Sequence, residues 1–101
     1  MEMIGTLPVA LKKLVGQTEV KSKKVSMKAM TAIEYVEAQA KAQPNQYLVL
    51  VDLANMTYLI DDDGKAHDIT YEMLAHSSRS NLEYLQILKQ DLDAKEQAES
   101  L

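Results

Sequence analysis

The stretch from Gln46 to Ile60 constrains this chain more than any other. Tyr47, Leu48, Val49, Leu50, Val51, Leu53, Met56, Leu59 and Ile60 leave it almost no polar side, so the rest of the chain has to cover it. With Pro44 near its first turn and about four turns of length, the run predicts a central buried helix. Its Val and Tyr content also admits a strand for the later part. The cover has to be an ordinary hydrophobic core, because the 101 residues include no cysteine and hence no disulfide, thiolate metal site or thiol nucleophile. The length suits one domain over residues 1–101, and 47% of the residues are hydrophobic, enough for a core with little margin. Absent cysteine points to a reducing compartment. There is no charged and apolar leader, and no apolar run approaches the ~20 residues that span a bilayer. The expectation is a cytoplasmic protein with no membrane contact.

Local signals predict an α+β fold, mainly α, with an N-terminal β-hairpin and three to four helices. Leu7, Val9 and Leu11 alternate as a half-buried strand does, Gly16 is the reversal point, and Thr18 to Met27 supplies a more polar partner, giving a hairpin over 7–27. The Lys-rich second strand reads as an exposed edge, and Pro8 suits an edge or a strand beginning. A helical body over 31–92 follows. Thr31-Ala32-Ile33-Glu34 has the form of a capping box, opening a helix with Ile33, Val36 and Ala40 on one face, which Pro44 ends. Asp61-Asp62-Asp63-Gly64-Lys65 is a turn by composition, and Thr70 caps a short helix from Tyr71 to His76. Ser80-Asn81-Leu82-Glu83 reads as a second capping box. On the helix it opens, Leu82, Leu85, Leu92, Leu88, Tyr84 and Ile87 sweep about 220°, more than one neighbour covers. Residues 93–101 read as a polar, frayed tail.

The net charge of -4 hides a polarity. Up to residue 30, Lys12, Lys13, Lys21, Lys23, Lys24 and Lys28 outweigh Glu2 and Glu19; beyond it, thirteen carboxylates outweigh five basic residues. Such a basic head on an acidic body can direct head-to-tail association or steer a charged partner. A nucleic-acid-binding regulator using the Lys hairpin is the other reading, but the basic segment has no Arg and none of the five tyrosines, so it lacks a stacking platform or a base-reading fork.

Candidate chemical sites are sparse. With Gly64 as the sixth residue of an EF-hand loop, the first and twelfth would be Leu59 and Thr70, which leaves the obligatory carboxylate positions empty. A solvated acidic turn at Asp61 to Asp63 explains the triplet better than a cation site. Glu72 and His76 share a helix face, and His67 would make three zinc ligands, but a surface Glu72 to His76 pair accounts for them more simply. Ser77, Ser78 and Ser80 beside His76 lack a strained elbow and read as caps and loop. Three glycines are too few for a phosphate cradle. No catalytic residue, cofactor or metal is expected, and the protein reads as no enzyme. Tyrosines and Met30, Met56 and Met73 fit core filling as well as an adaptable binding face.

The order of features resembles a known family. Leu7-Pro8, Gly16, the run Val25-Ser26-Met27-Lys28-Ala29-Met30-Thr31, a helix from Ala32 to Ala42, an apolar helix, Asp63-Gly64-Lys65, Ile69-Thr70-Tyr71-Glu72-Met73-Leu74 and a Leu-rich closing helix are similar to the small tail assembly chaperones of Mu-like, contractile-tailed phages and prophages. Lys28 stands where that pattern has an arginine. The resemblance implies a chaperone in the host bacterial cytoplasm that binds the long helical tape-measure protein before tube subunits polymerise. In many such proteins a frameshifted longer form recruits the tail-tube protein. A structural tail subunit is the alternative, and homo-oligomers fit either role. Joined to the broad apolar arc, the resemblance places partner binding on Tyr71, Met73, Tyr84, Ile87 and Leu88, which would cover apolar client segments by helix-in-groove recognition.

Overall fold

Val15 and Thr18 face each other across a two-residue turn in which Gly16 takes φ +63°, a conformation that suits glycine and matches the twist of a hairpin. The computed structural model describes residues 1–99. Around that turn lie β1 (Glu2–Val15) and β2 (Thr18–Lys28), longer at both ends than the hairpin expected. The chain continues through α1 (Ala32–Lys41), α2 (Leu48–Met56), β3 (Thr57–Ile60), β4 (Ala66–Asp68), α3 (Tyr71–Ala75) and α4 (Arg79–Glu99). The strands form one antiparallel sheet in the order β1-β2-β3-β4. The fold is α+β, but at about 45% helix and 32% strand it is less dominated by helices than expected, because the helical body over 31–92 contains two strands.

The apolar run splits. Leu48–Met56 form α2, and Thr57 then turns to extended backbone and pairs with Met27 without a connecting loop. The run is not one long helix: the strand its Val and Tyr content admits for the later part forms at Thr57–Ile60, because β2 offers Val25 to Met27 as a pairing edge and Thr57, Tyr58 and Ile60 suit a pleated surface. For the same reason β2 is an interior strand, not the exposed edge expected. Its lysines tolerate that place because Lys21, Lys23, Lys24 and Lys28 are all solvent-exposed. Asp61 organises the return to β4: its Oδ1 accepts from the N–H groups of Asp63 and Lys65, both at 2.9 Å, while Gly64 takes φ +81°.

Local capping holds as expected at two helices. Thr31 Oγ1 accepts from the Glu34 N–H, and Glu34 Oε1 accepts from the Thr31 N–H at 2.9 Å, a bond that holds the Glu34 carboxyl below its ordinary range. Thr70 Oγ1 accepts from the Met73 N–H. At α4 the reading is displaced. The helix begins at Arg79, the Ser78 carbonyl accepts from the Asn81 N–H, and Ser80 lies inside the first turn. Residues 93–99, expected to fray, continue α4; the last two positions of that tail lie outside the described residues.

The displacement of α4 follows from what Asn81 does. Between Thr6 and Leu11 the register of β1 shifts, so Leu7 to Ala10 lie opposite Lys23 alone. Pro8 sits in this bulge on an edge strand, where its missing N–H costs nothing. Leu7 and Leu11 point into the core while Val9, expected beside them, is exposed. Asn81, 0% exposed, supplies what the ladder no longer does: its Oδ1 accepts from the Val9 N–H at 3.0 Å and its Nδ2 donates to the Val9 carbonyl at 2.9 Å. One turn on, the Tyr84 hydroxyl accepts from the Thr6 N–H at 3.0 Å. A β-carbon on Gly5 would overlap that hydroxyl, so the glycine allows the close approach. Leu85, Leu88 and Leu92 then enter a core with Leu7, Val25, Met27, Leu53, Leu59, Ile69 and Leu74.

Two substitutions separate satisfied from orphaned polar groups. Asn81→Leu leaves the Val9 N–H and carbonyl unpaired and should cost about 2–4 kcal/mol in urea unfolding at constant m-value. Thr57, buried, has a hydroxyl with no hydrogen-bond partner among the described residues, so Thr57→Val should be neutral or stabilising by up to about 1 kcal/mol.

Candidate functional site

The residues expected to bind a partner do not form one surface. Leu88, 6% exposed, is a core residue. Tyr84 is half-buried, with its hydroxyl held by β1. Met73 packs against the core, and the Tyr71 hydroxyl accepts from the Tyr47 N–H at 2.9 Å, tying α3 to the start of α2. Only Ile87, 58% exposed, stands free on α4. The wide apolar arc does have two neighbours: the sheet takes one part of it and α2 another.

The unpartnered apolar surface lies elsewhere. No residue of α1 is buried; Ile33 is 62% and Val36 58% exposed. This helix meets its neighbour through the half-buried Ala38, Gln39 and Ala42, and Gln39 Nε2 donates to Asp52 Oδ1 on α2 at 2.6 Å. Small side chains and one amide therefore seat α1, and the ridge of Ile33 and Val36 faces solvent.

A groove begins beside this ridge. Between α2 and α4 there is a cavity of about 370 Å³, lined by Val49, Asp52 and Leu53 on one side and Gln86, Lys89 and Gln90 on the other. A second, of about 280 Å³, is lined by Met30, Ala32, Tyr35, Val36 and Met56 facing Lys89, Asp93 and Glu96. Lys89 lines both, so the two lie side by side along α4 and together make up the trough. From residue 86 to 96 the helix rises about 15 Å, the length of some ten residues of a docked helix. One wall is apolar and sulfur-bearing, which suits adaptable packing. The other is polar and acidic on balance, with Lys89 Nζ 3.3 Å from Asp93 Oδ2. At 100° per residue Ile87 lies on the far side of α4 from Lys89 and takes no part.

The trough was missed in the sequence because an amphipathic helix is read with its apolar face inward. The available signal was the opposite face of α1, where Ala38 and Ala42 give the helix a second surface able to pack closely.

The titratable clusters have structural roles. His67 Nε2 lies 2.8 Å from Asp61 Oδ2, and His76 Nε2 lies 3.1 Å from Glu72 Oε2 on an exposed helix face. No three His, Cys, Asp or Glu side chains gather to hold a metal ion among the described residues. Ser77 Oγ donates to the Leu74 carbonyl, and Ser78 Oγ accepts from the Ser80 N–H. A further gap of about 390 Å³ between α1, α2, β3 and α3 is lined by Ala38, Ala42, Ala54, Asn55 and Thr70; the Asn55 amide donates to the Val51 carbonyl and Thr70 caps α3. No helix among the described residues is long and apolar enough to cross a membrane.

Comparison with protein-family models, curated proteins and solved structures found no significant match to this chain.

Asp61 gives the fold a pH dependence. The hydrogen bond from His67, then that from the Lys65 N–H, holds its carboxyl below the ordinary value of 3.8 against the opposing effect of burial, with the Asp63 N–H adding to the lowering. A carboxyl lowered on folding stabilises the native state above its unfolded pKa, and that stability is lost as pH falls through the folded value. Asp61→Asn should therefore lower the melting temperature at neutral pH. The gap from wild type should narrow as the pH drops below 3.8, as followed by thermal melts across pH.

Proposed function

We propose that this domain is a tail assembly chaperone of the Mu-like kind, a non-catalytic protein that covers apolar faces of the helical tape-measure protein before tube subunits polymerise around it. The order of sequence features supports the family assignment. The binding mode rests on one observation, the trough between α2 and α4 continued by the exposed ridge of α1. A helix fits that shape: its apolar stripe lies on Tyr35, Val36 and Val49, and its polar side meets the acidic wall of α4. The docking residues are thus Met30, Tyr35, Val36 and Val49, in place of the set centred on Tyr84 and Leu88. An adaptable methionine and a polar wall suit a client with many similar helical segments.

Val36 and Val49 are both exposed, so charging them leaves the core intact. Val36→Asp with Val49→Asp should weaken capture of the co-expressed tape-measure protein by at least about tenfold, whereas Ile87→Asp should leave it unchanged. Unchanged capture by the folded double variant would refute the trough as the client site.

A further inference from the structure

We propose that copies of this chain associate head to tail, the tip of the β1–β2 hairpin of one copy seating in the α2–α4 trough of the next. Beyond the bulge, Lys12 pairs directly opposite Lys21, an arrangement that repels across a strand pair. Leu14 lies one position nearer the tip on the same face and is 72% exposed. That face points away from the body, because the alternate residues turn inward: the Lys13 ammonium donates to the Asp68 carbonyl, and Val20 packs against the core. Lys12, Lys21 and Lys23 form no ion pair among the described residues, and Glu19 opposite Leu14 is the one carboxylate on this face. The tip thus presents an apolar side chain behind a set of uncompensated positive charges.

The same molecule carries the complement. The trough offers exposed apolar surface at Val49 and Val36 and a rim carrying Asp52, Asp93 and Glu96, of which Asp93 is paired with the cation Lys89, so the rim stays acidic on balance. A two-stranded ribbon with its side chains is about as wide as a helix, some 10 Å, so a trough that takes a helix also takes a hairpin tip. Charge complementarity selects a second copy as the occupant. One surface on each side, different from its mate, makes the contact heterologous and open-ended. The inference rests on the trough being a docking site, and it adds a consequence: the hairpin shields the apolar surface until a client displaces it.

Sedimentation of the full chain from micromolar to millimolar concentration tests this with two charge-reversed variants, Lys12→Glu with Lys21→Glu on the hairpin and Asp93→Lys with Glu96→Lys on the trough. Wild-type mass should rise with concentration and fall with added salt. Each variant alone should associate at least about tenfold more weakly. Their mixture should recover open-ended association, since the native hairpin of one variant meets the native trough of the other and the reversed hairpin meets the reversed trough, and recovery also shows that both variants are folded. A wild type that stays monomeric throughout, variants that associate as the wild type does, or hairpin lysines that retain duplex DNA without any self-association would each overturn the proposal. Capture of the tape-measure protein by the hairpin variant is read separately: if it persists while self-association is lost, the client site stands on its own, and if client capture fails while self-association holds, only the client reading falls.

Discussion

One side-chain amide sets how α4 meets the sheet, on top of the apolar core the two share. Where the bulge leaves β1 without a regular ladder, Asn81 presents a donor and an acceptor to the peptide groups of Val9 and acts as a neighbouring strand would. Val9 is 46% exposed and these bonds are part-buried, so each is worth about 0.5–1.5 kcal/mol, and the pair together still matches or exceeds an exposed ion pair. It also fixes the rotation of α4. With Asn81 facing β1, residues 85, 88 and 92 point into the core, and Lys89, Asp93 and Glu96 come to lie along α2. The polar wall of the trough is therefore a consequence of the same anchor that closes the sheet.

Features decided within a few residues were legible in the sequence. The Thr31 and Glu34 box, the Asp61 turn and the Thr70 cap each depend on side chains reaching backbone no more than four positions away, and the Gly16 reversal on that residue's own backbone freedom. What escaped was set by distant partners. For Thr57 to Ile60 the sequence admits both helix and strand, and Val25 to Met27 beside them decide for the strand. The Ser80 box yields to a helix beginning at Arg79, a register that lets Asn81 reach Val9 seventy-two positions earlier. Val9 leaves the core because of a bulge that strict alternation conceals.

The candidate site followed the same division. An apolar arc on α4 was correctly read as too wide for one neighbour, but a sheet and a helix together absorb most of it, and Ile87 is what remains. Surplus apolar surface was legible as a property of the chain, whereas its location was not. Helical periodicity reports which residues share a face and is silent on which face turns inward.

For α1 that choice has an energetic reason. Gln39 can meet Asp52 only if the alanine face is inward, and a 2.6 Å amide to carboxylate contact in a half-buried place is a charge-assisted bond that water would otherwise have to supply. Turning Ile33 and Val36 inward would gain about 1–2 kcal/mol for each side chain but would break this charge-assisted bond and push the closely seated Ala38 and Ala42 off α2. The isolated domain thus settles with its apolar ridge in water. Were a second chain to cover that surface as proposed, the domain would be more stable occupied than alone.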